Sequence, residues 1–201
     1  GDQQLFFTVG GGEALQRSVD RGTSWENVEF LAPVSREYAA PVAFSTANPA
    51  FVAVGDVEVR RSTVRGAAGS WAGIGPPAAL TGGARLRRIA VAPTNPSVIY
   101  ASGDFSSNLV FRTTNGGASW DSFTGVDYIL DIAVDPLDAT KLVISGPFDL
   151  RYCTQSGNSC VSRRANLAPP ADVRLRRVLF DAATPGRIYG AGETGGAFVT
   201  H

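Results

Sequence analysis

Both cysteines of this 201-residue chain lie in "RYCTQSGNSC" (151–160), as Cys153 and Cys160, with only small or polar residues between them. Two thiols this close can form a disulfide, join a metal site or supply a nucleophile. A metal site needs more than two thiolates, and His201, the only histidine, stands at the end of the sequence. A His-based zinc site and a Ser-His-Asp triad are therefore not expected, and a cysteine nucleophile has no base beside it. The pair reads as a disulfide, with a free thiol pair as the alternative. An oxidised pair belongs to an exported protein, whether periplasmic, secreted or on the cell surface.

A second group of residues is suited to binding. "RLRR" occurs at 85–88 and again at 174–177, and "YAAP" (38–41) and "YILD" (128–131) hold the corresponding places. One column is Tyr38, Arg85, Tyr128 and Arg174; the other is Pro41, Arg88, Asp131 and Arg177. Guanidinium forks recognise carboxylates and tyrosine rings stack on ligands, so these columns are candidates for an anion- or sugar-binding mouth. In the simpler reading, Asp131 pairs with neighbouring arginines and the rest are solvated. Strand alternation is expected to set the two columns on opposite faces. For hydrolysis by a carboxylate pair the candidates are Asp127, Asp131, Asp135 and Asp181, although Asp135 precedes Pro136 and reads as a turn residue. "VGGGE" (9–13) is glycine-rich, but no helix follows to make it a phosphate loop.

Two repeats in phase must position these residues. "RSVDRGTSW" (17–25) and "RTTNGGASW" (112–120) share Ser/Thr, then Asp/Asn, Gly, Ser/Thr and Trp at fixed offsets. "RYCTQSGNSC" fits the same frame, with Cys153 in the first place and Cys160 in the Trp place. "STVRGAAGSW" (62–71) is a degenerate copy, read as having shifted glycines. The last places fall at 25, 71, 120 and 160. The second repeat is an apolar strand before a turn: "VAFSTANP" (42–49), "IAVAPTNP" (89–96), "IAVDPLDA" (132–139) and "VLFDAATP" (178–185). Each is followed by another apolar run ending in Gly, such as "SVIYASG" (97–103). Four antiparallel strands in a unit of about 40–50 residues is the pattern of a β-propeller blade. The expected fold is all-β, one propeller domain over residues 1–201. About five units fall near 1–33, 34–79, 80–124, 125–168 and 169–201, as a small five-bladed ring or part of a larger one.

These motifs resemble the Asp-box, or bacterial neuraminidase, repeat, and the phrasing of "IAVDP" and "NPSVIYASG" is most similar to the xyloglucanase, sortilin and photosystem II assembly factor branch of sialidase-like propellers. The box itself is a structural turn. Ser18, Asp20, Gly22 and Trp25, with Asn115, Gly117 and Trp120, are expected to build hairpins. Trp25, Trp71 and Trp120 are expected to cover gaps between blades. Sialidases of this kind use three arginines, a Tyr–Glu pair and an acidic donor. Arg85, Arg88, Arg177, Tyr38, Glu37 and Asp131 supply those types, but the Arg-Ile-Pro signature is absent from "RRIAVAP" (87–93).

Formal net charge is zero and charged residues make up 18% of the chain, so no global field draws it to nucleic acid or an anionic membrane. No apolar run approaches the ~18 residues that span a bilayer. The leading expectation is a non-catalytic, exported module that binds a protein segment or a glycan at the channel mouth, with no cofactor or metal. Further blades of a longer parent chain, or further copies, are its other expected partners. The alternative is a sialidase- or xyloglucanase-like glycoside hydrolase, or a fragment of one.

Overall fold

Short β-branched and aromatic runs, each stopped by Gly, Pro, Asn or Asp, favour brief extended segments over helices. The computed structural model describes residues 6–9, 14–30, 41–48, 50–55, 57–103, 108–163, 173–193 and 196–200. Within them the chain forms eighteen strands in five antiparallel sheets. Sheet 1 holds β1 (Phe6–Val9), β2 (Ala14–Ser18) and β3 (Glu26–Phe30). Sheet 2 holds β4 (Val42–Phe44), β5 (Val52–Gly55), β6 (Val59–Ser62) and β7 (Ala72–Gly75). Sheet 3 holds β8 (Arg88–Ala92), β9 (Asn95–Ser102), β10 (Leu109–Thr113) and β11 (Asp121–Thr124).

Sheet 4 holds β12 (Asp131–Val134), β13 (Leu142–Ser145), β14 (Leu150–Thr154) and β15 (Ser159–Ser162). Sheet 5 holds β16 (Leu175–Phe180), β17 (Ile188–Gly192) and β18 (Ala197–Val199). Helix among the described residues is limited to a single turn, α1 (Ala78–Thr81), and a 3₁₀ turn at Gln155–Gly157. None of it is long and apolar enough to cross a membrane.

Register shows which strands correspond. Phe7 in β1 faces Arg17 in β2 as Tyr100 in β9 faces Arg112 in β10. Sheet 1 as described therefore starts at the second strand of the unit, and sheet 5 stops at the third. In sheets 2, 3 and 4 the second strands are buried on both faces, which is why they read as continuous apolar runs. Val52–Val54, Ile99–Ala101 and Leu142–Ile144 are all fully buried.

Four buried clusters join consecutive sheets. Leu15, Val28 and Val54 join sheets 1 and 2; Ala53, Ile99 and Phe111 join 2 and 3. Tyr100, Val110, Ile132 and Ile144 join 3 and 4; Val143, Leu150 and Val178 join 4 and 5. Asp135 sits in the turn after β12, where its carboxylate accepts the Leu137 N–H at 2.8 Å.

Candidate functional site

The inner strands β8, β12 and β16 pack side by side, and Arg88, Asp131 and Arg177 lie where they begin. Their chemistry is mostly directed at neighbouring backbone. The Arg88 guanidinium donates from Nε to the Leu130 carbonyl and from Nη1 to the Arg87 carbonyl at 2.7 Å. Burial holds its pKa below the usual arginine value, offset in part by Asp131. Asp131 is 7% exposed. Its Oδ2 accepts the Val178 N–H at 3.0 Å, and Oδ1 lies 3.7 Å from the Arg177 guanidinium. Burial raises the Asp131 pKa against the pull of the Val178 N–H and Arg177. Arg88 thus ties sheet 3 to sheet 4, and Asp131 ties sheet 4 to sheet 5. The Arg177 side chain remains 75% exposed.

The other column is placed differently from the alternation expected of strands. Arg85, Tyr128 and Arg174 precede their strands and lie in connecting loops, so strand pleating does not set their direction. Tyr38 falls outside the described residues. The Arg174 carbonyl accepts the Glu193 N–H at 2.9 Å. Tyr128 has a left-handed backbone (φ 53°) and is 55% exposed.

Sequence reasoning missed the partner of Tyr128. Asp131 pairs in register with Ser145, which brings the loop after β13 back to the face where β12 begins. That loop carries Phe148, 69% exposed. Tyr128 and Phe148 line a groove of about 290 Å³ together with Val126, Asp127, Asp149 and Arg151. The Asp149 carboxylate already accepts the Leu150 N–H at 2.8 Å and the Ser162 hydroxyl at 2.6 Å, and it pairs with Arg151 at 3.1 Å. Nothing around Phe148 repeats along the chain, so no motif signalled it.

At the other ends of the strands are the hairpins. Ser18 Oγ accepts the Gly22 N–H at 2.7 Å, and Asp20 Oδ1 accepts the Ser24 N–H at 2.9 Å. The Ser24 hydroxyl and N–H, then the Ser18 hydroxyl, lower the Asp20 pKa to about 2. Asn115 repeats this arrangement: it accepts the Ser119 N–H at 2.9 Å while Thr113 accepts the Gly117 N–H at 2.9 Å. In the degenerate copy the glycine is not shifted. Gly66 donates to Ser62 Oγ at 3.0 Å, four residues on as in the other copies, and the extra residues come later.

The hairpins also lean on the preceding sheet. Arg17 donates to the Arg65 carbonyl at 3.0 Å, Arg61 to the Gly116 carbonyl at 2.9 Å, and Arg112 to the Ser156 carbonyl. Trp120 Nε1 donates to the Ile74 carbonyl at 2.5 Å, and Trp71 meets Phe7 edge-on. Trp25 instead bonds the Gly22 carbonyl of its own hairpin and is 43% exposed. A polar cavity of about 320 Å³ lies between the third and fourth hairpins, beside Arg112, Trp120 and Asn158. Both fork nitrogens of Arg112 facing Asp121 are already engaged there.

Cys153 and Cys160 are paired in register across β14 and β15 and form a disulfide. Closing so short a loop stabilises by roughly 2–3 kcal/mol in the chain-entropy account. Replacing both with serine is expected to lower the unfolding free energy by about that amount. Mass after alkylation checks the bond itself: without reductant no label is taken up, and after reduction two are.

No protein-family profile matches the chain, and no curated protein matches it in sequence. Solved structures do match in shape. The GH74 xyloglucanase from Xanthomonas campestris superposes with a TM-score of 0.73 at 16% identity, over 96% of this chain and 34% of that one. YCF48 bound to D1 peptide gives 0.64 at 16% identity, over 100% of this chain and 62% of that one. A chain of the mitotic checkpoint complex gives 0.70 at 9% identity, over 100% and 60%. The chain thus spans between about a third and three-fifths of these structures. At such identities the likeness shows the fold alone: the five sheets are blades of a β-propeller type.

Proposed function

We propose that the chain is a non-catalytic, exported binding module that takes a protein segment or a glycan on the face where the inner strands begin. The observation that carries this reading is the groove holding Tyr128 and Phe148. Two large aromatic rings left more than half exposed, beside charged residues, are what a binding surface offers and what a packed fold avoids. At about 290 Å³ it lies near the lower end of ligand-site volumes. Asp131 supports the same reading, because its carboxylate is buried and spent on the Val178 N–H and Arg177. The hairpin geometry at Asp20 and Asn115 supports assignment of the repeats to the Asp-box type, and the disulfide supports export.

One observation favours the second reading, a glycoside hydrolase or part of one: Asp127 and Asp149 line the same groove, and hydrolysis needs two carboxylates flanking the scissile bond. A glycan array and a peptide library, run beside hydrolysis assays on β-glucans and sialosides, separate the two. Captured ligand is expected to bind at least ~10-fold more weakly when Tyr128 and Phe148 are both changed to Ala, with an unchanged thermal melt. Turnover that disappears in Asp127→Ala would instead establish the hydrolase.

A further inference from the structure

The groove that holds Tyr128 and Phe148 is lined from sheets 3 and 4, in the middle of the sequence. Asp127 and Tyr128 come from the connection between β11 and β12. Phe148, Asp149 and Arg151 come from the turn that leads from β13 into β14. Three ionised side chains are therefore among its described lining residues, and they are not equivalent. The Asp149 carboxylate is spent: Oδ1 accepts the Leu150 N–H and the Ser162 hydroxyl, and Oδ2 accepts Arg151 Nε. Arg151 is balanced by that pairing. Asp127 is exposed, and its carboxylate has no hydrogen bond or ion pair to any described residue. The described lining is left with one negative charge that no side chain there offsets.

That charge stands beside two rings more than half exposed. The face of an aromatic ring is the negative end of its quadrupole, so rings and carboxylate attract the same kind of group, a cation. An acidic ligand would be repelled by Asp127 and would find Arg151 already paired. A neutral sugar would stack on the rings but leave the Asp127 charge without a partner.

Resting on the reading of this groove as the binding site, we infer that its ligand is a protein segment presenting an arginine. The guanidinium lies against the exposed rings and donates to the Asp127 carboxylate. Arginine suits these groups better than lysine, because its planar fork both stacks on aromatic faces and matches a carboxylate with two donors. A volume of about 290 Å³ accommodates one long side chain with its flanking backbone, so the partner offers a loop or an extended segment.

NMR titrations of the 201-residue chain test this. The probes are a blocked pentapeptide with one central arginine, its citrulline and glutamate analogues, and a β-glucan oligosaccharide. The arginine peptide is expected to shift the signals of Tyr128 and Phe148. It should bind at least ~10-fold more tightly than the citrulline peptide, which keeps the shape without the charge. Asp127→Asn is expected to erase that difference with an unchanged thermal melt, since this carboxylate is bonded to no described residue. Phe148→Ala is expected to weaken both peptides. Citrulline that binds as tightly as arginine, or an arginine preference that survives Asp127→Asn, overturns the inference. Tighter binding of the glutamate peptide or the oligosaccharide at the same signals also overturns it, while the groove stands as the binding site. Signals of Tyr128 and Phe148 that move with no probe overturn the inference and remove the groove from the proposed function as well.

Discussion

Gly117→Val is expected to destabilise the chain by about 3–5 kcal/mol, while Gly22→Val, at the same place in the repeat, costs only about 1–2 kcal/mol. Both glycines have left-handed backbones, at φ 96° and 87°, which a β-branched residue resists. That strain is common to the two substitutions. What differs is the neighbour. A Cβ on Gly117 would stand 2.6 Å from the Ile74 Cβ and 2.7 Å from the Ile74 carbonyl, which is backbone and cannot swing away. The same carbonyl accepts the Trp120 Nε1 bond, so moving it loses a hydrogen bond as well. Gly22 has only Trp25 nearby, at 3.8 Å. Urea midpoints of the two variants at low protein concentration give the comparison. Equal losses would mean that the hairpin docked on the preceding blade contributes nothing beyond its own turn.

That contrast also shows what a sequence can and cannot display. The turn chemistry is local. Asp20 and Asn115 reach only four residues along the chain to Ser24 and Ser119, and the glycines follow their Ser or Thr at a constant offset, so the hairpins are readable as a repeat. The Cys153–Cys160 bond follows from the same frame, since the first and last places of the box face each other across the hairpin. The five sheets were legible for a similar reason: each strand pair closes over a short connection.

Contacts between blades were not legible, because they join residues roughly a whole unit apart through backbone groups. An arginine precedes the first Ser or Thr of three hairpins, yet nothing in its type reveals that Arg17, Arg61 and Arg112 donate to carbonyls of the next one. Arg88 and Asp131 read as a ring of charge for the same reason. A sequence displays the guanidinium and the carboxylate, but not the Leu130 carbonyl and Val178 N–H that occupy them. Tyr128 was visible and Phe148 was not, since only the return of the loop after β13 brings them to one groove.

The same inter-blade logic makes Tyr100→Ala expected to cost about 3–5 kcal/mol, as for other large aromatic truncations. Tyr100 is fully buried in the cluster shared by sheets 3 and 4 and meets Phe123 edge-on. Its hydroxyl donates to the Ala139 carbonyl of sheet 4 at 3.2 Å. Tyr100→Phe keeps the ring and loses only the hydrogen bonding of the hydroxyl, so it is expected to cost about 1 kcal/mol near neutral pH. The two variants then part in alkali. Burial raises the Tyr100 pKa above its ordinary value of 10.0, with the Ser156 hydrogen bond and Arg112 pulling the other way. Below that value the phenol is neutral in both folded and unfolded chains, and its contribution is complete. As pH rises past it the unfolded chain ionises first, so the contribution is lost progressively up to the folded pKa. The wild type should therefore lose more stability than Tyr100→Phe between about pH 8 and about pH 11, and the gap between their urea midpoints should narrow. A gap that stays constant, or widens, would mean that the phenol ionises as easily in the folded blade as in the unfolded chain, and that sheets 3 and 4 admit water where Tyr100 now seals them.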